Sequence, residues 1–176
     1  MASGADTQLA RMLRRPDPQL SFRWVIKQVP EVNSLNLATK YGIDSAWVEG
    51  FELPFINVKI DGVFVGGGID YFPEFHDVSA FSVTFYGDEE LRALKYLWEW
   101  KKAIKDFNTG LYQVPAYYKD NWTAQLLNGR GNVTCEFTYS GCWPGDTGQL
   151  TLDQESNRMI FNQTFSVDSM DIKFLR

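Results

Sequence analysis

YSGCWPGDTGQLTLDQESNRMIF, residues 139–161, is the stretch on which the fold turns. A run of β formers breaks at Gly141, at Trp143 and Pro144, and again at Gly145 and Gly148. A short strand, a polar turn and a further strand follow. Pro144 holds Trp143 away from the helical region, and the indole brings a large apolar surface with which to anchor a turn. The segment therefore reads as a corner between strands, built on Trp143, Pro144 and Gly148. Its purpose is architectural, because no catalytic constellation accompanies it.

Strands extend outward from this corner on both sides. Upstream, Val133, Cys135, Phe137 and Tyr139 alternate with Thr134, Glu136 and Thr138, and Gly129 and Gly131 separate this run from WTAQLLN, 122–128, as in a hairpin. Downstream, 159–174 reads as one long strand, with Phe161, Phe165 and Val167 opposite Asn162, Thr164, Ser166 and Asp168. Further strands are predicted over 22–28, 46–54 and 79–87. Between the last two, 55–77 contains Asp61 before Gly62, three glycines at 66–68 and Pro73; it reads as a hairpin or a long projecting loop with strand-like arms.

One segment has helical periodicity, 88–107. Asp88 is its expected N-cap, Glu89 and Glu90 suit the first turn, and Lys101, Lys102 and Lys105 suit the last. Leu91, Leu94, Leu97, Trp98 and Ile104 form one apolar stripe, and Tyr96, Trp100, Ala103 and Phe107 a second. Two stripes predict packing against more than one surface. The sum is a mainly β (α+β) chain: an antiparallel sandwich or partly closed barrel with one flanking helix and a long projecting loop. Residues 1–21, basic and interrupted by Pro16 and Pro18, read as an N-terminal arm, and 22–176 as a single β domain.

Composition narrows the function. The chain of 176 residues has a net charge of −5, and 31–87 carries eight acids against two bases. Only Arg11, Arg14 and Arg15 cluster, which speaks against specific nucleic-acid binding. The two cysteines, Cys135 and Cys142, are expected as free thiols. No secretion signal is evident near the N-terminus and no apolar run is long enough to span a membrane, so no membrane partner is expected. His76 stands alone as a metal ligand beside Glu74 and Asp77; no cofactor, metal or catalytic residue is predicted, and the chain does not read as an enzyme. Trp122 and Trp143 at strand edges leave a carbohydrate-binding sandwich as an alternative.

The opening segment resembles the tail-tube proteins of contractile-tailed bacteriophages. Trp143, Pro144, Gly148, Leu150, Leu152, Asp153, Ser156 and Asn157 carry the match, with LWEWKKAIKDFNTGLYQVPAYYKD, 97–120, and WVEGFELP, 47–54, upstream. The resemblance implies a virion protein, assembled in the host bacterial cytoplasm: homohexameric rings stacked into the inner tail tube, through which the genome is ejected. It implies as partners other copies of the chain, the tail sheath protein, baseplate and tail terminator proteins, and, without specific binding, the tape measure protein and transiting DNA in the lumen. The baseplate tube initiator, of the same fold, is the alternative role. On this reading Ser82, Thr84, Thr134, Glu136, Thr138, Thr164, Ser166 and Asp168 face the lumen, where hydroxyls and a few acids offer phosphate no basic trap. Lysine at Glu136 or Asp168 is then expected to spare folding and hinder DNA passage. Asp61, Gly66, Gly67, Gly68, Asp70 and Phe72 are the candidate contacts between rings.

Overall fold

The computed structural model describes residues 23–32, 35–147 and 159–175. The N-terminal arm, Gly148 and the motif residues 150–157 lie outside the described residues. Strand β1 (Trp24–Gln28) is followed by a short helix α1 (Leu37–Tyr41), then β2 (Val48–Phe51), β3 (Ile56–Val65), β4 (Gly68–Val78) and β5 (Phe81–Tyr86). Helix α2 (Arg92–Ile104) and a single turn α3 (Pro115–Tyr118) precede β6 (Asp120–Leu127), β7 (Val133–Thr147), β8 (Ile160–Ser166) and β9 (Ser169–Phe174).

Seven strands form two antiparallel sheets that share β7. In the first the order is β1, β6, β7, β9; in the second it is β7, β8, β5, β2. The sheets stay open, with β1, β9 and β2 as outer strands among the described residues. The predicted alternation sorts the faces. Phe81, Val83 and Phe85 with Phe161 and Phe165 point inward from the second sheet, and Trp122, Ala124, Phe137 and Tyr139 from the first, all buried. Their rings interlock across the gap: Phe81 lies 5.1 Å from Tyr139, and Trp122 lies 5.4 Å from Phe165 and 6.2 Å from Phe85.

Helix α2 closes one side of this core. Ala93, Tyr96, Leu97 and Trp100 are buried; Trp100 lies 5.3 Å from Phe165, the Tyr96 hydroxyl donates to the Pro30 carbonyl at 2.9 Å, and the Trp100 indole N–H donates to the Tyr118 carbonyl at 2.6 Å. The helix begins later than its sequence suggests. Leu91 takes the N-cap position at φ 55°, and Asp88 serves it from outside, accepting from the Arg92 backbone N–H at 2.8 Å and from Arg92 Nε at 2.7 Å. Burial pushes the Asp88 carboxyl up, but the Arg92 hydrogen bonds outweigh it and hold the group below its ordinary value. The helix meets more than one surface, as its two stripes predict, packing on α1, on the α3 turn and on the sheet core; within the first stripe Leu97 is buried, Leu91 and Leu94 are half-buried and Trp98 is exposed.

Two further readings change. The 159–174 strand is two strands, broken at Val167 and Asp168, and its second half crosses to pair with β7 in the first sheet. The corner at 141–145 is a bend inside one continuous strand. Residues of β7 up to Cys142 pair with β6, and Trp143 and Pro144 pair with Ser166 and Phe165 of β8, so the strand passes from one sheet into the other. Such a passage needs no chain break, because a bulge re-aims the strand while its hydrogen bonds change partner.

Candidate assembly surfaces

The bend is locked by polar contacts. Gly141 sits at φ +69°, and its N–H donates to Asn121 Oδ1 at 3.2 Å. Asp168 donates its backbone N–H to the Ser140 carbonyl at 3.1 Å, and its carboxylate accepts from Lys119 Nζ at 2.6 and 2.7 Å. Pro144 is buried, while Trp143 is half-buried with its ring edge-on to Tyr118 at 6.4 Å. Cys142, buried beside the bend, has its thiol pushed up to about 12 by burial, and burial raises Cys135 as well, so both free thiols stay protonated at neutral pH. Trp122 is fully buried, which removes it from any exposed sugar-stacking platform.

The polar strand residues fall on two outer faces, on opposite sides of the shared core. Ser82 lies opposite Thr164, and Thr84 opposite Asn162, to whose Oδ1 its hydroxyl donates at 2.8 Å. Ser166 continues this row opposite Trp143. Thr134, Glu136 and Thr138 lie on the other sheet. Glu136 stands between Gln125 and Lys173 and accepts from Lys27 Nζ at 2.8 Å and from the Gln125 amide. Asp168 sits in the turn after β8. A single bore can be lined by only one of these faces.

Glu136 and Asp168 are therefore ion-paired within the chain, and lysine at either is not neutral to folding as the sequence suggests. At 136 it would meet Lys27 and Lys173; at 168 it would meet Lys119. The Lys27 hydrogen bond, helped by that of Gln125, holds the Glu136 carboxyl below its ordinary value. A depressed acid stabilises the fold above its unfolded value, about 4.3, and that contribution is lost as pH falls through the folded value. Glu136→Gln should thus melt below the wild type at pH 7, with the gap closing under acid. A gap constant from pH 7 to pH 2 contradicts this account.

β3 and β4 form a separate two-stranded ribbon, closed at Gly66 and Gly67 with φ 59° and 93°, where Val65 pairs with Gly68. Two successive positive φ values define the tight hairpin turn matched to strand twist. With arms of 10 and 11 residues it reaches about 34 Å. All of β3 is exposed, and Ile60, Phe64 and Tyr71 are 68%, 76% and 71% accessible. An isolated two-stranded hairpin is marginal in water. Among the described residues no group of three or more metal-ligating side chains occurs, and no helix is long and apolar enough to cross a membrane.

A scan against protein-family models gave no match, nor did a search of the curated proteins. Solved structures match along nearly the whole chain. The tube-terminating cap of the anti-feeding prophage aligns over 92% of this chain and 94% of its own, at 18% identity and a TM-score of 0.67. A sheath/tube terminator of the extracellular contractile injection system PVC aligns over 92% and 99%, at 15% identity and 0.61. A chain of the sheath–tube complex of that system aligns over 99% and 100%, at 17% identity and 0.59. The chain thus shares its overall fold with tube and cap proteins of contractile injection systems.

Proposed function

We propose that the chain is a structural subunit of the hollow inner tube of a contractile tail, six copies closing a ring and rings stacking into a conduit for the genome. The observation that carries this reading is the ribbon. A solvated monomer gains nothing from so long an apolar hairpin, whereas a neighbouring copy that covers it supplies the burial it lacks. The outer strands β1, β9 and β2 offer unpaired edges that ring closure would complete. Sheath, baseplate and terminator proteins are the implied partners, with the tape measure protein and DNA passing through the bore. Of the two outer faces, that of Ser82, Thr84, Thr164 and Ser166 is the better bore lining, since the Glu136 face also carries Lys27 and Lys173.

A terminating or initiating role is the second reading, favoured by the likeness to a cap and a terminator as well as to a chain of a sheath–tube complex. Electron microscopy of the purified chain separates the roles. A tube subunit forms long hollow polymers; a cap or initiator forms single rings that do not propagate; a monodisperse monomer at high concentration contradicts both. Introducing charge on the ribbon, Phe64→Glu with Tyr71→Glu, should abolish assembly while shifting the melting temperature by no more than about 2 °C, as for surface substitutions of small effect. Intact assembly of that variant contradicts a role for the ribbon.

A further inference from the structure

Helix α2 carries an apolar stripe that the core covers only in part, with Leu91 and Leu94 half-buried and Trp98 exposed. Leu91, Leu94, Lys95 and Trp98 line a shallow groove of about 290 Å³. Trp98, 51% exposed, stacks on Phe107 at 5.3 Å and 30°, and Phe107 is itself 53% exposed. Lys102 lies over the Trp98 ring at 5.7 Å. Positions 95, 98 and 102 follow helical spacing along one face, so two lysines bracket one tryptophan. The only acid of the helix, Glu99, is engaged by Lys40 at 3.3 Å. The stripe is therefore an apolar platform with a cationic rim.

The ribbon has a complementary face. Its register places Asp61 opposite Phe72 and Val63 opposite Asp70, and all four are exposed. Since side chains alternate along each strand, these four share one face while Ile60, Phe64, Ile69 and Tyr71 share the other. The first face is a checker of two acids and two apolar side chains. Asp61 and Asp70 sit on the diagonal, roughly 7–8 Å apart; Lys95 and Lys102 are seven helical residues apart, about 10 Å along the axis. Flexible lysine stems bridge that difference.

The geometry points to a docking contact between copies: the Asp61, Val63, Asp70 and Phe72 face of one ribbon seats on the α2 platform of a neighbouring copy. Phe72 and Val63 enter the groove beside Trp98, and the two aspartates meet Lys95 and Lys102. Charge complementarity selects this occupant, because one chain carries both halves on different surfaces. The contact is therefore heterologous and propagates around a ring or along an axis. It rests on the self-assembly proposed above and names the residues that join the copies.

Charge reversal tests it, with the full chain and sedimentation as the readout. Lys95→Glu with Lys102→Glu, and separately Asp61→Lys with Asp70→Lys, should each weaken assembly at least tenfold, and the fourfold variant carrying both reversals should restore it. Assembly unchanged in the two double variants, or not restored in the fourfold one, overturns the contact and leaves the tube reading standing. A wild-type chain that stays monomeric at every concentration overturns the tube reading and the contact with it. Should a reversal variant fail to fold, mixing Phe72→Cys protein with Trp98→Cys protein under oxidising conditions should give a disulfide-linked heterodimer, the native thiols being buried. A cysteine at 98 that remains fully reactive to maleimide in the assembled polymer shows that no copy covers the platform, and refutes the proposal.

Discussion

Replacing Trp122 by alanine should cost about 3–5 kcal/mol of unfolding free energy, the range for a large aromatic removed from a packed core. For a chain of this size that corresponds to a fall in melting temperature of about 6–20 °C. Trp122, on the first sheet, is fully buried and touches three rings of the second: Phe51 at 5.7 Å, Phe85 at 6.2 Å and Phe165 at 5.4 Å. Truncation would thus open a void where the two sheets meet and α2 closes over them. Trp122→Phe should cost far less. It keeps a ring in the site and removes an indole N–H that is buried without a hydrogen-bond acceptor among the described residues. Equal losses for the two variants, read by thermal or urea unfolding, would show that the indole N–H is satisfied and its hydrogen bond matters.

The bend gives the second large effect. Gly141→Ala should destabilise by about 2–5 kcal/mol, from two sources. Alanine is strained at φ +69°, and its Cβ would collide with the Asp168 carboxylate, 2.7 Å from Cγ. That carboxylate cannot swing away without leaving Lys119. A cycle with Asp168→Ala isolates the carboxylate: its collision disappears in the double variant, while the backbone strain and the close approach to the Cβ of residue 168, 2.9 Å away, remain, and the coupling reads as less than additive destabilisation. A cost below about 1 kcal/mol for Gly141→Ala would mean that the bend relaxes freely and does not fix the passage of β7 between sheets.

Much of the architecture was legible because apolar alternation states which face of a strand is buried. Val133, Cys135, Phe137 and Tyr139, like Phe81, Val83 and Phe85, have the parity their spacing predicts. For 55–77 the sequence left a hairpin and a projecting loop both open, and the structure places a hairpin turn at Gly66 and Gly67, where two consecutive positive φ values are easily met only by residues of that kind. The continuity of β7 was not legible. Gly141, Pro144 and Gly145 are turn signals in any local reading, yet they sit in a strand whose register shifts between Pro144 and Thr147 and whose partner changes from β6 to β8. The start of α2 was misplaced for a related reason: Asp88 does hold the helix N-terminus, but across a turn ending at Leu91 rather than as the adjoining residue.

The candidate surfaces divide in the same way. Parity identified Ser82, Thr84, Thr134, Glu136, Thr138, Thr164 and Ser166 as pointing away from the core. It could not say that they point away on two different sheets, because periodicity along one strand carries no information about which strand lies beside it. Nor could it pair Glu136 with Lys27, 109 residues away, or Asp168 with Lys119. Local chemistry, set by side-chain size and backbone freedom, determined the strands, the strand-like arms of the ribbon and the helix. Long-range pairing, decided by how two sheets and a helix bury a common aromatic core, determined the bend, the two polar faces and the partly covered stripe at Trp98.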